Sequence, residues 1–315
     1  MDSMLNKRFM QLVVGIVFLG LLIWICFYVK NHLQEFRAIR IISVIDLIIL
    51  FLLTPVYFYS QAVILKLILK SFGIKLKFSE WFGLTMMTMM GNFIIPFSGL
   101  GFRALYLKRV YSFDLRHFIS TLSAIWIVNF LVFTFAGLFA LIFIWRQGHS
   151  FDLKTALFLG IVFLLALIFW FTPLGKFKPK NKFLKRFSLI LASWQKIKKD
   201  RKLVIGLIYW SIVELFLFVL TFYFAFRTFG FDISFVDAFL PASLTNFSYF
   251  VRLLPASFGL YEGAIIYASK LLGFTAVQAL TVTALTRLTT FIWIFSLGLT
   301  FSYLLTKKPS KKSAD

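Results

Sequence analysis

Residues 91–109 read GNFIIPFSGLGFRALYLKR. Inside otherwise hydrophobic sequence they place a proline, a serine two positions on, two glycines, and a charged residue seven positions on: Pro96, Ser98, Gly99, Gly101 and Arg103. The pattern returns 159 positions later in LLPASFGLYEGA, residues 253–264, as Pro255, Ser257, Gly259 and Glu262. In lipid an unpaired backbone amide or carbonyl costs several kcal/mol, so helix breakers survive at membrane depth only where protein or a polar cavity satisfies the freed groups. Two such breaks in corresponding halves of a chain point to a translocation site.

The surrounding composition sets the class. Of 315 residues, 60% are hydrophobic, the mean hydropathy is +0.89, and apolar runs repeatedly reach the length of a membrane crossing. No stretch of soluble composition exceeds a loop, so the expected architecture is one all-α, polytopic membrane domain over residues 1–315. The first apolar run, 9–29, follows Lys7 and Arg8, but Val29-Lys30-Asn31-His32 offers no small-residue cleavage site, and it reads as a retained helix. The net charge of +22 would suggest nucleic acid in a soluble protein. Here eleven Lys/Arg and one acid, Asp200, fall between Lys176 and Lys202, a pattern of cytoplasmic basic loops that meet anionic head groups. Nucleic acid is not expected as a partner. The lone Cys26 rules out an internal disulfide, and the scattered His32, His117 and His149 make no ligand cluster, so no metal and no cofactor is expected.

Crossings are predicted at 9–29, 41–69, 117–145, 154–173, 203–227 and 276–305. Lys/Arg clusters at 7–8, 66–77, 174–202 and 307–312 then share one face, which the charge rule makes cytoplasmic, with both termini there and the protein multi-pass in the plasma (inner) membrane. The segments Ser79–Arg109 and Ser234–Lys270 fit no simple span. Each reads as helix, break, helix, opening at Ser79/Glu80 or at a Ser234/Asp237 capping box and running some 18–21 residues to its proline. Each is expected to be a re-entrant hairpin, the first from the cytoplasm and the second from outside. That opposition suggests an inverted repeat, 41–145 and 203–305, joined by a basic amphipathic segment at 174–202 whose apolar face (Phe183, Phe187, Trp194 and Ile197 among others) would lie in lipid. Residual similarity supports the duplication: Gly73, Phe78 and Phe82 align with Gly230, Phe235 and Phe239 at an offset of 157, the prolines and serines at 159, and Gly137 with Gly298 at 161.

Charges at membrane depth are retained when paired, hydrated or useful. Arg103 and Glu262 occupy equivalent places with opposite sign, and a pseudo-two-fold axis between the hairpins would bring both to a shared cavity, with Arg287 and Arg252 nearby. Asp46 and Glu214 read as helix-end or helix-contact residues. Ser98, Ser257, Asn92 and Asn246 can satisfy backbone groups freed at the breaks or bond a polar head group. Gly99, Gly101 and Gly259 let short helices begin at once, with amides and positive dipole ends facing the cavity, an arrangement that favours phosphate. Enzyme signatures are lacking: there is no phosphate-binding Gly-Lys-Ser/Thr loop, no His pair, and Gly99-Leu100-Gly101 lacks the strand and third glycine of a dinucleotide site.

Through GNFIIPFSGLGFRALYLKR (91–109), LLPASFGLYEGA (253–264) and ALTRLTTFIWIFSLGL (284–299), the chain resembles the transmembrane region of lysylphosphatidylglycerol synthases, over about residues 10 to 305. The resemblance implies a membrane domain that moves a lipid between leaflets. In that family a separate cytosolic domain adds lysine from aminoacyl-tRNA; about ten residues follow the last helix here, so that activity is not expected. Many members carry acidic and basic residues in the helix after the first hairpin, where this chain has Ile125, Trp126 and Asn129. The expectation is a flippase for a phospholipid or related amphiphile, with Arg103 and Arg287 on phosphate and Glu262 balancing charge. Two alternatives stand beside it. One is a membrane transferase, or partner of one, acting on a lipid-linked sugar or aminoacyl lipid. The other is an ion-coupled solute transporter in which Glu262 or Glu214 titrates. A homo-oligomer and a soluble synthase partner are both open.

Overall fold

The computed structural model describes residues 25–148, 150–172, 197–249 and 254–306, together with Gly20, Ile23, Trp194 and Gln195. The regular structure among them is all helical: α1 Leu33–Ala38, α2 Val44–Ser71, α3 Phe78–Ile94, α4 Ser98–Tyr111, α5 Leu115–Arg146, α6 Leu153–Phe171, α7 Arg201–Thr228, α8 Phe239–Asn246, α9 Leu260–Leu271 and α10 Ala276–Thr306, with 3-10 turns at Phe247–Tyr249 and Pro255–Ser257. Five of these, α2, α5, α6, α7 and α10, are long and apolar enough to cross a membrane, each starting within three residues of its expected position. The expected crossing at 9–29 lies mostly outside the described residues.

Local chemistry places the ends. Oxygens of Ser43, Asp114, Asp152 and Asp200 accept the first free amides of α2, α5, α6 and α7, as N-caps do. α2 and α7 close with the same C-terminal motif: Gly73 and Gly230 take positive φ (82° and 71°), each donating its N–H at 2.9 Å to the carbonyl three residues back, Lys70 or Arg227. Only glycine adopts that conformation without steric cost. Within α2, Pro55 has no N–H for the Phe51 carbonyl, and the Trp293 indole of α10 donates to that carbonyl at 2.8 Å. An interior proline is thereby satisfied from a neighbouring helix.

α2 and α7 form the axis of the bundle and run antiparallel. Asp46 meets Arg227 at 3.4 Å at one end, the Tyr57 and Phe218 rings stack at 5.2 Å midway, and Gly206 faces Leu67 towards the other. Around this pair the contacts repeat when the two halves are exchanged. α3 packs on α4 and on α10; α8 packs on α9 and on α5. Both long walls approach through a glycine: a Cβ at Gly298 would stand 2.8 Å from Met90 of α3, and one at Gly137 would stand 2.9 Å from Ser243 of α8. The α3/α4 pair begins and ends at the basic end of the bundle, where Phe72 meets Phe113. The α8/α9 pair begins and ends at the opposite end, where Phe274 meets Phe226 and Phe231. α6 is peripheral and mostly exposed, with 17% of its apolar window buried.

Four expectations need correction. α3 starts at Phe78, capped by the Glu80 carboxylate accepting the Lys77 N–H at 2.8 Å, so Ser79 lies inside the helix. The reciprocal Ser234/Asp237 bonds do form, at 3.1 and 3.3 Å, but they close a turn, and helix begins only at Phe239. α8 then gives way to a 3-10 turn after eight residues instead of running to Pro255. Here the Thr245 and Ser248 hydroxyls bond back to the Pro241 and Thr245 carbonyls. Finally, Trp194 and Ile197 of the basic segment are buried in protein, not lipid, Trp194 against Phe169 and Trp170. The rest of that segment's apolar face, including Phe183 and Phe187, falls outside the described residues.

Candidate functional site

Both breaks use the same backbone device. The residue after each proline, Phe97 or Ala256, takes a left-handed conformation (φ 63° and 51°) that costs an ordinary side chain about 1 kcal/mol or more. Strain of this kind persists only where its surroundings over-determine it. At the first break the determinant is a close crossing. Gly99 lies against the Thr88 backbone, so that a Cβ there would sit 1.9 Å from the Thr88 carbonyl oxygen, and Gly91 faces Gly99 in turn. Asn92 Oδ1 accepts the Gly99 and Leu100 N–H groups at 3.1 and 3.3 Å, and Ser98 Oγ donates to the Gly91 carbonyl at 2.7 Å. Nothing stands within 4 Å of a Cβ built at Gly101.

At the second break the determinant is an ion pair. Glu262 Oε2 accepts the Gly259 N–H at 2.6 Å, and its Oε1 meets Arg287 of α10 at 2.8 Å. Arg287 also donates to the carbonyl of the left-handed Ala256 at 2.6 Å and lies over the Tyr261 ring at 4.3 Å. The amides expected to face a phosphate are therefore occupied: those of Gly99 and Leu100 by Asn92, that of Gly259 by Glu262.

Between the breaks, bordered by α2, α3, α4, α5, α7, α8, α9 and α10, is a partly open cavity of about 190 Å³. Of the residues singled out in the sequence, Arg103, Arg287, Asn92, Asn246 and Ser257 line it. Glu262 stands behind Arg287, Ser98 turns to the α3 carbonyls, and Arg252 lies outside the described residues. Arg103 is 8% exposed, and its Nε donates to Thr88 Oγ1 at 2.8 Å. The Asn246 Nδ2 amide is buried without a hydrogen-bond partner. A buried donor left unpaired costs about 1–3 kcal/mol, and here it borders the cavity.

Sequence reasoning named Glu214 as a helix-contact residue, or a titrating group in the transporter alternative, but did not assemble the opposite wall around it. Glu214 of α7, 3% exposed, accepts from Gln61 Nε2 at 2.8 Å and from Asn129 Nδ2 at 3.4 Å. Gln61 reaches the Tyr57 hydroxyl at 2.6 Å, and Ser211 Oγ donates to Asn129 Oδ1 at 2.8 Å, which holds the Asn129 amide with its NH2 towards the carboxylate. Tyr57, Gln61, Asn129 and Glu214 all line the cavity, as do Ile125 and Trp126. The signal was available: Tyr57 and Gln61 lie four residues apart on α2, one turn of one face, but antiparallel contact with α7 had to be known before Glu214 could join them.

Outside the apolar spans, Asp152 ties α6 to α9. Its carboxylate accepts from the Tyr267 hydroxyl at 2.6 Å and from the Thr155 N–H at 3.1 Å and hydroxyl. Burial pushes its proton affinity up, but these hydrogen bonds and Lys154 outweigh burial and hold it below the usual carboxylate range. Among the described residues no group of His, Cys, Asp and Glu is placed to hold a metal ion.

No curated protein and no solved structure matches the chain. The family model described as the lysylphosphatidylglycerol synthase TM region matches residues 10–298, a span that takes in both breaks, the cavity and the carboxylate network. With five apolar spans around a polar centre, the chain is a multi-pass membrane protein and belongs to the lysylphosphatidylglycerol synthase transmembrane-region family.

Proposed function

We propose that this protein moves an amphiphile with a phosphate-bearing head group between the leaflets of the plasma membrane. The observation that carries the reading is the partly open cavity between two helix breaks, with a buried arginine, Arg103, and an unpartnered amide, Asn246, on its otherwise largely apolar wall. Donors set in a low-dielectric space favour an acceptor-rich, anionic group. A water needs about 10–15 Å³ of such space, so 190 Å³ admits several waters or a small head group while acyl chains stay in lipid.

In this reading the two breaks belong to re-entrant hairpins of an inverted repeat. The exchange-symmetric contacts support it, as does the antiparallel α2/α7 pair: a two-fold axis that swaps antiparallel helices stands perpendicular to them, hence in the membrane plane. The end carrying Lys66, Lys70, Lys75, Lys77 and Lys198–Lys202 is then cytoplasmic, against anionic head groups. Arg103 is the phosphate-binding residue. Arg287, engaged by Glu262 and the Ala256 carbonyl, fixes the second break and adds positive field.

The test is head-group translocation by purified protein in unilamellar vesicles, with fluorescent phosphatidylglycerol or phosphatidylethanolamine and a membrane-impermeant quencher, beside a known scramblase. Wild type should expose inner-leaflet label to the quencher, and Arg103→Gln should slow this by at least about tenfold, the factor for about 1.4 kcal/mol of lost head-group binding. Folded protein that moves no label in either lipid defeats the proposal.

A further inference from the structure

Glu214 is the one feature of the cavity that an anion-binding site does not need. Its carboxylate is almost fully buried, and its partners are neutral: the Gln61 and Asn129 amides and the Tyr57 hydroxyl. An ionised carboxylate away from water is costly unless paired with a cation, and the usual outcome is that the group takes up a proton instead. The charged and titratable groups facing it are few. α2 presents Tyr57; α5 presents Asn129 and no charge at that level; α8 presents Asn246; across the cavity stand Arg103 of α4 and Arg287 of α10. Asp46 is committed to Arg227 at the far end of the α2/α7 pair, and Glu262 to Arg287.

From this geometry we infer that Glu214 is a proton-binding site linked to head-group binding, so that an anionic head group and one proton occupy the cavity together. The inference rests on the head-group reading above. With the cavity hydrated and empty, water and the Gln61 and Asn129 donors favour the carboxylate. When a phosphate binds at Arg103, it displaces water from the cavity that Glu214 also lines and adds a negative charge there. Glu214 then gains a proton, becoming a neutral acid. Linkage is reciprocal: if the anion favours the proton, the proton favours the anion by the same factor. Anion affinity therefore rises as pH falls, and a transmembrane proton gradient can drive net movement of an anionic lipid in the direction the proton moves.

The experiment uses the purified full chain and short-chain phosphatidylglycerol as probe. Isothermal titration in buffers of different ionisation enthalpy counts protons taken up on binding, and the vesicle assay is run with and without an imposed pH gradient. Wild type should take up part of a proton per lipid bound and bind more tightly at acidic pH, by about tenfold for a one-unit change in the proton affinity of Glu214. Glu214→Gln should bind at the low-pH strength at every pH, take up no proton, and flip without response to the gradient. Asn129→Asp, which puts a second acid beside Glu214, should move the pH midpoint upward; this variant serves if Glu214→Gln does not fold. Lipid binding with no proton uptake, or a pH profile that Glu214→Gln leaves unchanged, overturns the inference while the flipping reading stands. Proton-linked binding without translocation of label keeps the inference and removes the flipping.

Discussion

Replacing Gly99 by alanine tests the crossing on which the first break depends. The added Cβ would stand 1.9 Å from the Thr88 carbonyl oxygen and 2.6 Å from its carbon, against about 3.5 Å for an unstrained contact. Both are backbone atoms, so no side chain can swing aside and α3 and α4 must separate. Overpacking of this kind costs about 1–3 kcal/mol. Separation also pulls the Gly99 and Leu100 amides from Asn92, a loss of about 1 kcal/mol for each hydrogen bond. Against this, alanine in place of glycine in a helix gains about 1 kcal/mol, leaving a net cost of about 2–4 kcal/mol. Two positions on, Gly101→Ala meets nothing within 4 Å and should be neutral or stabilising by up to about 1 kcal/mol. The pair isolates crowding from helix propensity, and thermal unfolding in one detergent, followed by near-UV circular dichroism, measures both. Arg103 lies one turn further along α4, so Gly99→Ala should also lose head-group movement. Equal melting of Gly99→Ala and wild type, or an equal drop for both alanine variants, would refute the crossing.

Arg287→Ala should cost about 3–5 kcal/mol, because it leaves Glu262 charged and buried; Arg287→Ala with Glu262→Ala should cost little more than the single change, a coupling read from a double-mutant cycle in thermal melts. Trp293→Phe strands the Phe51 carbonyl freed by Pro55 and should destabilise by about 1–3 kcal/mol in the same assay. Asp152→Asn should lower the melting temperature at neutral pH. The proton affinity of Asp152 is depressed in the fold, so its contribution is full above the ordinary carboxylate value and fades as pH falls through the folded one; the gap between variant and wild type should narrow on acidification. In a background with Cys26→Ala, a maleimide that cannot cross membranes should label Ser112→Cys and Thr275→Cys from opposite sides, and labelling of both from one side would refute the opposed hairpins.

The long spans were legible because hydropathy depends on composition over twenty residues and little on neighbours. Pro96 and Pro255 were legible because proline acts on its own backbone, and Gly73/Gly230 and Gly137/Gly298 because a duplicated glycine marks a duplicated constraint. Partnership was not legible. Asn92 read equally well as a ligand contact or a backbone cap, and only the approach of α4 decides for the cap. Symmetry suggested that Arg103 and Glu262 face one cavity, yet only Arg103 lines it, and Glu262 pairs with Arg287 25 residues on because α9 and α10 are sequence neighbours that pack together. Glu214 was undervalued because its amide partners, Gln61 and Asn129, carry no charge to announce them. The end of α8 at Asn246 was missed because no proline or glycine stands there to mark it.

The exchange of walls between halves has a consequence for biosynthesis. The first hairpin leans on α10, and the contact that seats Met90 needs Gly298, some two hundred residues further along the chain. A ribosome delivering this protein releases α3 and α4 into the bilayer long before their support exists. Until α10 has been made, Arg103 and the strained turn at Phe97 sit on a helix pair that lacks its Met90–Gly298 contact. Truncations that remove α10 should therefore strike hardest at α3 and α4.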